Sequence, residues 1–115
     1  LTKEQGQIPW QKPARLVCCH IRGVQPWPKP STTIELAEGK PLRLLILDAE
    51  PADRAVPGEP GSIEVEDRKR LFVQTGEGAV EVLTLQPEGR KAMSAAQFLN
   101  GRTLSNADRF ALPAE

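Results

Sequence analysis

The 115-residue sequence contains a single histidine, His20, and that scarcity narrows the chemistry it can carry. A Ser-His-Asp or Cys-His nucleophile needs an imidazole facing its partner, and only His20 beside Cys19 keeps such an arrangement open by spacing. Cysteine is almost as scarce. Cys18 and Cys19 are adjacent, and neighbouring residues do not readily reach disulfide geometry, so no internal bridge is expected and a reducing compartment fits. Cys18, Cys19 and His20 do not make a metal site either. Consecutive side chains on a helix diverge by about 100°, and no second cluster supplies further ligands. Long apolar runs are missing: none approaches the roughly 18 residues of a membrane helix, and the N-terminus lacks the charge-then-apolar pattern of a signal peptide. The expectation is a soluble, cytoplasmic chain with no membrane partner, no metal and no catalytic residue of its own.

Net charge is absent as well, with 15 Lys and Arg balancing 15 Asp and Glu. The balance is uneven along the chain. Residues 1–34 hold five cations against one carboxylate, residues 35–67 three against nine, and residues 68–115 seven against five. A uniformly basic chain would point to nucleic acid. Here a basic face can arise only where the two ends of the chain meet. Asp48/Glu50 and Glu64/Glu66/Asp67 read as solvated charges on strands, since acid–base work needs a burial that this polar context does not promise.

What is plentiful is turn-forming residues, 11 Pro and 9 Gly, placed between apolar runs. They mark a turn-rich fold rather than a disordered tract. Residues 1–7 are polar and without period, and read as an arm or linker; residues 8–115 form one domain. Pro13 opens a helix whose apolar face is Ala14, Val17, Cys18 and Ile21, ended by Gly23. The segment Gln25-Pro26-Trp27-Pro28-Lys29-Pro30 is too proline-rich for helix or central strand. It holds Trp27 either as a plug over the open end of a barrel or as a platform for stacking a base.

Five strands are predicted: Ser31 to Leu36, Leu42 to Asp48 or Glu50, a short one around Ile63 and Val65, Leu71 to Thr75, and Ala79 to Gln86. Pro51 to Pro60 is a loop and the least constrained part of the chain. Gly76-Glu77-Gly78 lacks the helix start that a phosphate-cradling loop requires, so it is a hairpin turn. In the fifth strand Val80 and Val82 share one face and Leu83 and Leu85 the other, which predicts a bulge near Val82-Leu83. The Arg68-Lys69-Arg70 run reads as a solvated turn. The sum is a mainly β fold, a small OB-like five-stranded barrel with an N-terminal helix and a short C-terminal helix.

The last helix is the best signed. Ser94 is its N-cap, Gln97 completes a capping box, and Met93 can staple to Phe98. Asn100-Gly101 ends it, with Gly101 expected in the left-handed conformation. Arg90 and Lys91 then sit in a turn between a strand and this helix, exposed and fixed, which suits them to hold a phosphate.

The run from Leu85 to Met93 (Leu-Gln-Pro-Glu-Gly-Arg-Lys-Ala-Met), followed by Phe98-Leu99-Asn100-Gly101, resembles the C-terminal domain of methionyl-tRNA formyltransferases. Further blocks are similar to the family in order and spacing: Ile8-Pro9-Trp10 before Lys12-Pro13-Ala14, Ile21-Arg22-Gly23, Pro26-Trp27-Pro28, Pro60-Gly61 and Thr75-Gly76-Glu77-Gly78. Two positions depart from it. Cys19 stands where the family usually has Asn, and Lys29-Pro30 replaces the usual Gly-Ala. The resemblance implies a domain that helps position initiator tRNA through backbone contacts. Catalysis and 10-formyltetrahydrofolate would belong to an N-terminal domain outside these residues, which is the other implied partner, and no cofactor is expected here. Arg90, Lys91, Arg22, Lys29 and Arg102 are the expected phosphate contacts. Two alternatives stand beside this one. One is a structural or oligomerisation domain; the other is the similar domain of an enzyme acting on a sugar nucleotide or folate, without tRNA.

Overall fold

A computed structural model describes residues 3–25 and 27–113. Lys3–Gly6 winds into a 3-10 turn, so the part of the expected arm that falls among the described residues follows the surface of the barrel. It is tied there by the ring of His20, whose Nε2 lies 2.7 Å from the Gln5 carbonyl, and by a parallel bridge from Gln7 to Ser31.

The first helix, α1 (Ala14–Gly23), buries the expected face of Ala14, Val17, Cys18 and Ile21. Its start is held by tertiary contact. Pro13 is extended and offers no side-chain cap, and the Ala14 N–H donates to the Glu77 carbonyl at 2.9 Å. That carbonyl belongs to the hairpin turn, where the Thr75 hydroxyl, itself buried, donates to the carbonyls of Glu77 and Gly78, both at 2.8 Å. Gly76 is obligatory at this junction, because a Cβ there would lie 1.9 Å from the Gln11 carbonyl oxygen.

All five expected strands form: β1 (Ser31–Glu35), β2 (Leu42–Ala52), β3 (Ile63–Glu66), β4 (Arg70–Gln74) and β5 (Ala79–Pro87). Two two-residue strands join them, β6 (Met93–Ser94) and β7 (Arg109–Phe110), with the last helix, α2 (Ala95–Gly101), between them. The sheet runs β3-β4-β5-β2-β1-β7, with β6 on β5. Its two edges meet where Ser62 bridges Arg109 and the Phe110 N–H donates to the Gly61 carbonyl at 2.8 Å. The barrel is thus nearly closed, which removes the exposed edges that a flat sheet would present.

The pairing of β2 with β5 carries the expected bulge. Register passes from Ile46↔Leu85 to Asp48↔Thr84 to Ala49↔Val82, stepping over Leu47 on one strand and Leu83 on the other. Buried positions change parity there, from Leu44 and Ile46 to Ala49 and from Val80 and Val82 to Leu85. An extra residue bends a strand and re-aims its side chains, so both strands keep facing the core around the curve. Leu83, the extra residue itself, is only half-buried.

Three expectations are corrected. Trp27 is 54% exposed and plugs nothing; the tryptophan that fills the barrel is Trp10, fully buried, its ring 5.0 Å from that of Phe110 and its indole N–H donating to the Thr32 hydroxyl at 3.0 Å. The space is taken by the residue that a local reading left in an extended lead-in. Residues 51–60 are better anchored than expected. Pro51 and Ala52 continue β2 against Val80 and Ala79, and Val56 is buried with its N–H bonded to Gln74 Oε1 at 2.9 Å. Lastly, Gly101 closes α2 without a positive φ, and Arg102 follows in extended conformation (φ −150°, ψ 123°). Leu104, two residues further on, is buried.

Candidate nucleic-acid interface

The turn between β5 and β6 is built by the backbone. Gly89 takes φ +79°, the Arg90 N–H donates to the Pro87 carbonyl and the Glu88 N–H to the Arg43 carbonyl, each at 3.0 Å. The Gln86 amide then donates to the Arg90 carbonyl at 2.9 Å. With Met93 paired to Leu85, the exposed Arg90 and Lys91 stand on a turn pinned at both ends. The helix beyond it is capped as expected: the Ser94 N–H donates to Gln97 Oε1 at 2.9 Å and the Gln97 N–H to Ser94 Oγ at 3.1 Å.

An open groove of about 270 Å³ lies between this turn and α2, floored by Leu42, Pro87, Met93 and Phe98, and it brings Arg90 and Arg102 together. A second groove follows on the other side of the turn, where Arg43 joins Ser31, Gln86, Glu88 and Gly89. Arg43 was missed by sequence reasoning. Its signal was a lone cation in the apolar β2 run, which strand alternation puts on the outer face. Its ion pair with Glu88 is long, 4.0 Å, with the two side chains 68% and 70% exposed, so it holds the arginine only loosely.

The other expected contacts line neither groove. Lys29 precedes β1 by two residues, adopts φ +77° and anchors its N–H on the Val24 carbonyl at 2.7 Å. Arg22 is exposed in the last turn of α1, its Nη2 3.8 Å from Cys19 Sγ. The structure gathers Arg90, Lys91 and Arg102, adds Arg43, and leaves Lys29 on the α1–β1 connection and Arg22 in the last turn of α1.

Two carboxylates of the acidic middle, Glu64 and Glu66, are neutralised together with Glu81 by two arginines. Arg54 bonds Glu64 at 2.9 Å and Glu66 at 2.5 Å, and Arg70 bonds Glu81 at 2.8 Å and reaches Glu66 at 3.5 Å. Both guanidiniums lie over the Phe72 ring, at 3.8 and 5.0 Å from its centroid. The hydrogen bond from Arg70 holds the Glu81 carboxyl below the usual range, and that from Arg54 does the same for Glu66. These carboxylates stay ionised and partnered, so they do not compete for the cations around the β5–β6 turn.

The fold places the chain among small β-barrel domains flanked by helices, with cations gathered on one turn and its grooves. Comparison with known proteins narrows that class. Residues 1–103 match the family described as "Formyl transferase, C-terminal domain", and the chain belongs to that family. It is 41% identical over 102 residues to the methionyl-tRNA formyltransferase of Chlamydia pneumoniae, covering 88% of this chain and 32% of that protein. It is 40% identical over 109 residues to that of Solibacter usitatus, covering 95% and 33%. With the Anaeromyxobacter dehalogenans (strain 2CP-C) protein of the same name, identity is 44% over 104 residues, covering 88% and 32%. The chain spans about a third of the length of these curated relatives.

Proposed function

We propose that the chain is the tRNA-holding C-terminal domain of a methionyl-tRNA formyltransferase, and that it carries no catalytic residue itself. Formyl transfer from 10-formyltetrahydrofolate to the amino group of methionine on initiator tRNA would be the work of an N-terminal domain outside this chain, reached through a linker that ends in residues 1–7. The cytoplasm is the place of action that this reading implies. Among the described residues no helix is long and apolar enough to cross a membrane.

The observation that carries the reading is the pinned β5–β6 turn, which presents Arg90 and Lys91 beside a groove shared with Arg102. Cations on a fixed turn take phosphates in a set position and read no sequence, so they orient a tRNA by its backbone. Lys29 and Arg22 would extend the contact along the barrel. The relatives named methionyl-tRNA formyltransferase favour a tRNA over a sugar nucleotide.

The test is a titration of initiator tRNA into the chain at two salt concentrations, with Arg90→Glu/Lys91→Glu as the variant. Binding that falls steeply with salt and drops at least tenfold in the variant is the expected result. Equal binding by variant and parent would refute the role of the turn. A purely structural role is favoured by one observation, the exposure of Trp27 and Leu16. Self-association that Trp27→Ala abolishes, without tRNA binding, would establish it instead.

A further inference from the structure

The hairpin joining β3 to β4 turns through Asp67 and Arg68, with φ 53° and 55°, and is closed by the Lys69 N–H donating to the Glu66 carbonyl at 2.9 Å. Consecutive left-handed residues in a hairpin are usually glycine, asparagine or aspartate, because other L side chains crowd the following carbonyl, so Asp67 is ordinary there and Arg68 is not. This turn carries a carboxylate and an arginine there, and a lysine next. Strained backbone of this kind persists where the surrounding structure over-determines it, and it gathers at binding sites.

The strained tip faces α2. Asp67, Arg68 and Lys69 line an open groove with Ala96, Gln97 and Asn100. Gln97 also lines the groove of Arg90 and Arg102. Residues 96 and 100 form one row along a helix, and 97 and 101 the next, so the two grooves run along neighbouring rows of one short helix. Cations therefore border α2 along two adjoining grooves that meet at Gln97. Arg70, the third cation of the same run, is excluded, since Glu81 and Glu66 engage it over Phe72. Arg68 and Lys69 are exposed, with Asp67 the one carboxylate of their groove.

We propose that the β3–β4 tip is a second phosphate-contact site, at which Arg68 and Lys69 take the backbone of the RNA that Arg90, Lys91 and Arg102 hold beside α2. The inference rests on the RNA-holding reading above and extends it to a second surface. The arrangement favours an extended ligand. The two grooves adjoin at Gln97 and each brings its own cations, which suits a polynucleotide with a charge every few ångströms.

Each phosphate neutralised releases counterions, so the tip is best read in the salt dependence of binding. The intact chain is titrated with a folded tRNA transcript over a series of salt concentrations, beside Arg68→Gln/Lys69→Gln and Arg90→Gln/Lys91→Gln. The tip variant is expected to bind about 5- to 30-fold more weakly at low salt and to flatten the log–log salt slope by roughly 1 to 2. Arg68→Gly/Lys69→Gln, which suits the positive φ, gives the same loss if charge and not hairpin distortion is the cause. An unchanged slope and affinity in both tip variants, with the Arg90/Lys91 variant impaired, overturns the tip site and leaves the turn in place. The reverse pattern supports the tip and refutes the turn. A parent chain that binds no tRNA at low salt overturns both.

Discussion

Lys29 occupies a left-handed position, φ +77°, where the family that the sequence resembles usually has glycine. A side chain with a Cβ costs about 1–2 kcal/mol there, partly offset by the greater freedom that glycine has when unfolded. Lys29→Gly is therefore expected to raise stability by about 0.5–1 kcal/mol in urea denaturation. If the lysine contacts phosphate, the same variant weakens tRNA binding, so stability and affinity move in opposite directions. The two cysteines diverge in a comparable way. Burial pushes the Cys18 thiol from 9.0 up to about 11, while Cys19 is exposed. A thiol reagent should label one cysteine in the native chain and two after unfolding. The folded thiol holds its proton more tightly than the unfolded one. Its contribution is complete below pH 9 and is lost as pH rises towards 11, which a series of melts across that range measures.

Among the elements, α2 was the most legible and α1 the less so, for a physical reason. The α2 cap is made by Ser94 and Gln97, three residues apart, and local pairs are visible in a sequence. The α1 cap is the Glu77 carbonyl, far along the chain. That dependence makes Gly76→Ala a severe change, because its Cβ would meet the Gln11 carbonyl at 1.9 Å and push apart the helix lead-in and the hairpin. A loss of about 2–3 kcal/mol is expected in chemical denaturation. Gly101 shows the converse limit. Its type suggested a left-handed end, but Gly101 has no positive φ and Arg102 after it is extended.

Across the whole molecule, closure of the barrel depends on β7, a two-residue strand too short to leave a pattern. Phe110 on it is fully buried and packs on Trp10 at a centroid distance of 5.0 Å. Phe110→Ala should cost about 3–5 kcal/mol, seen as a lower Tm, with Trp10 fluorescence shifted to the red as water enters. Charge is also organised at this scale. A chain of zero net charge confines Glu64, Glu66 and Glu81 with Arg54 and Arg70 on one face, and leaves Arg90, Lys91, Arg102 and Arg43 around the β5–β6 turn.

By itself the sequence determined the five main strands, both helices, the bulge near Val82-Leu83 and the exposed pair Arg90-Lys91, because each rests on period, turn chemistry or capping between near neighbours. Only the tertiary structure decided that Trp10 and not Trp27 fills the barrel, that β7 closes it, and that Arg43, Arg102 and the Arg68-Lys69 tip border one turn and helix. Those outcomes depend on which distant segments meet, and a meeting across the sheet leaves no local period to read.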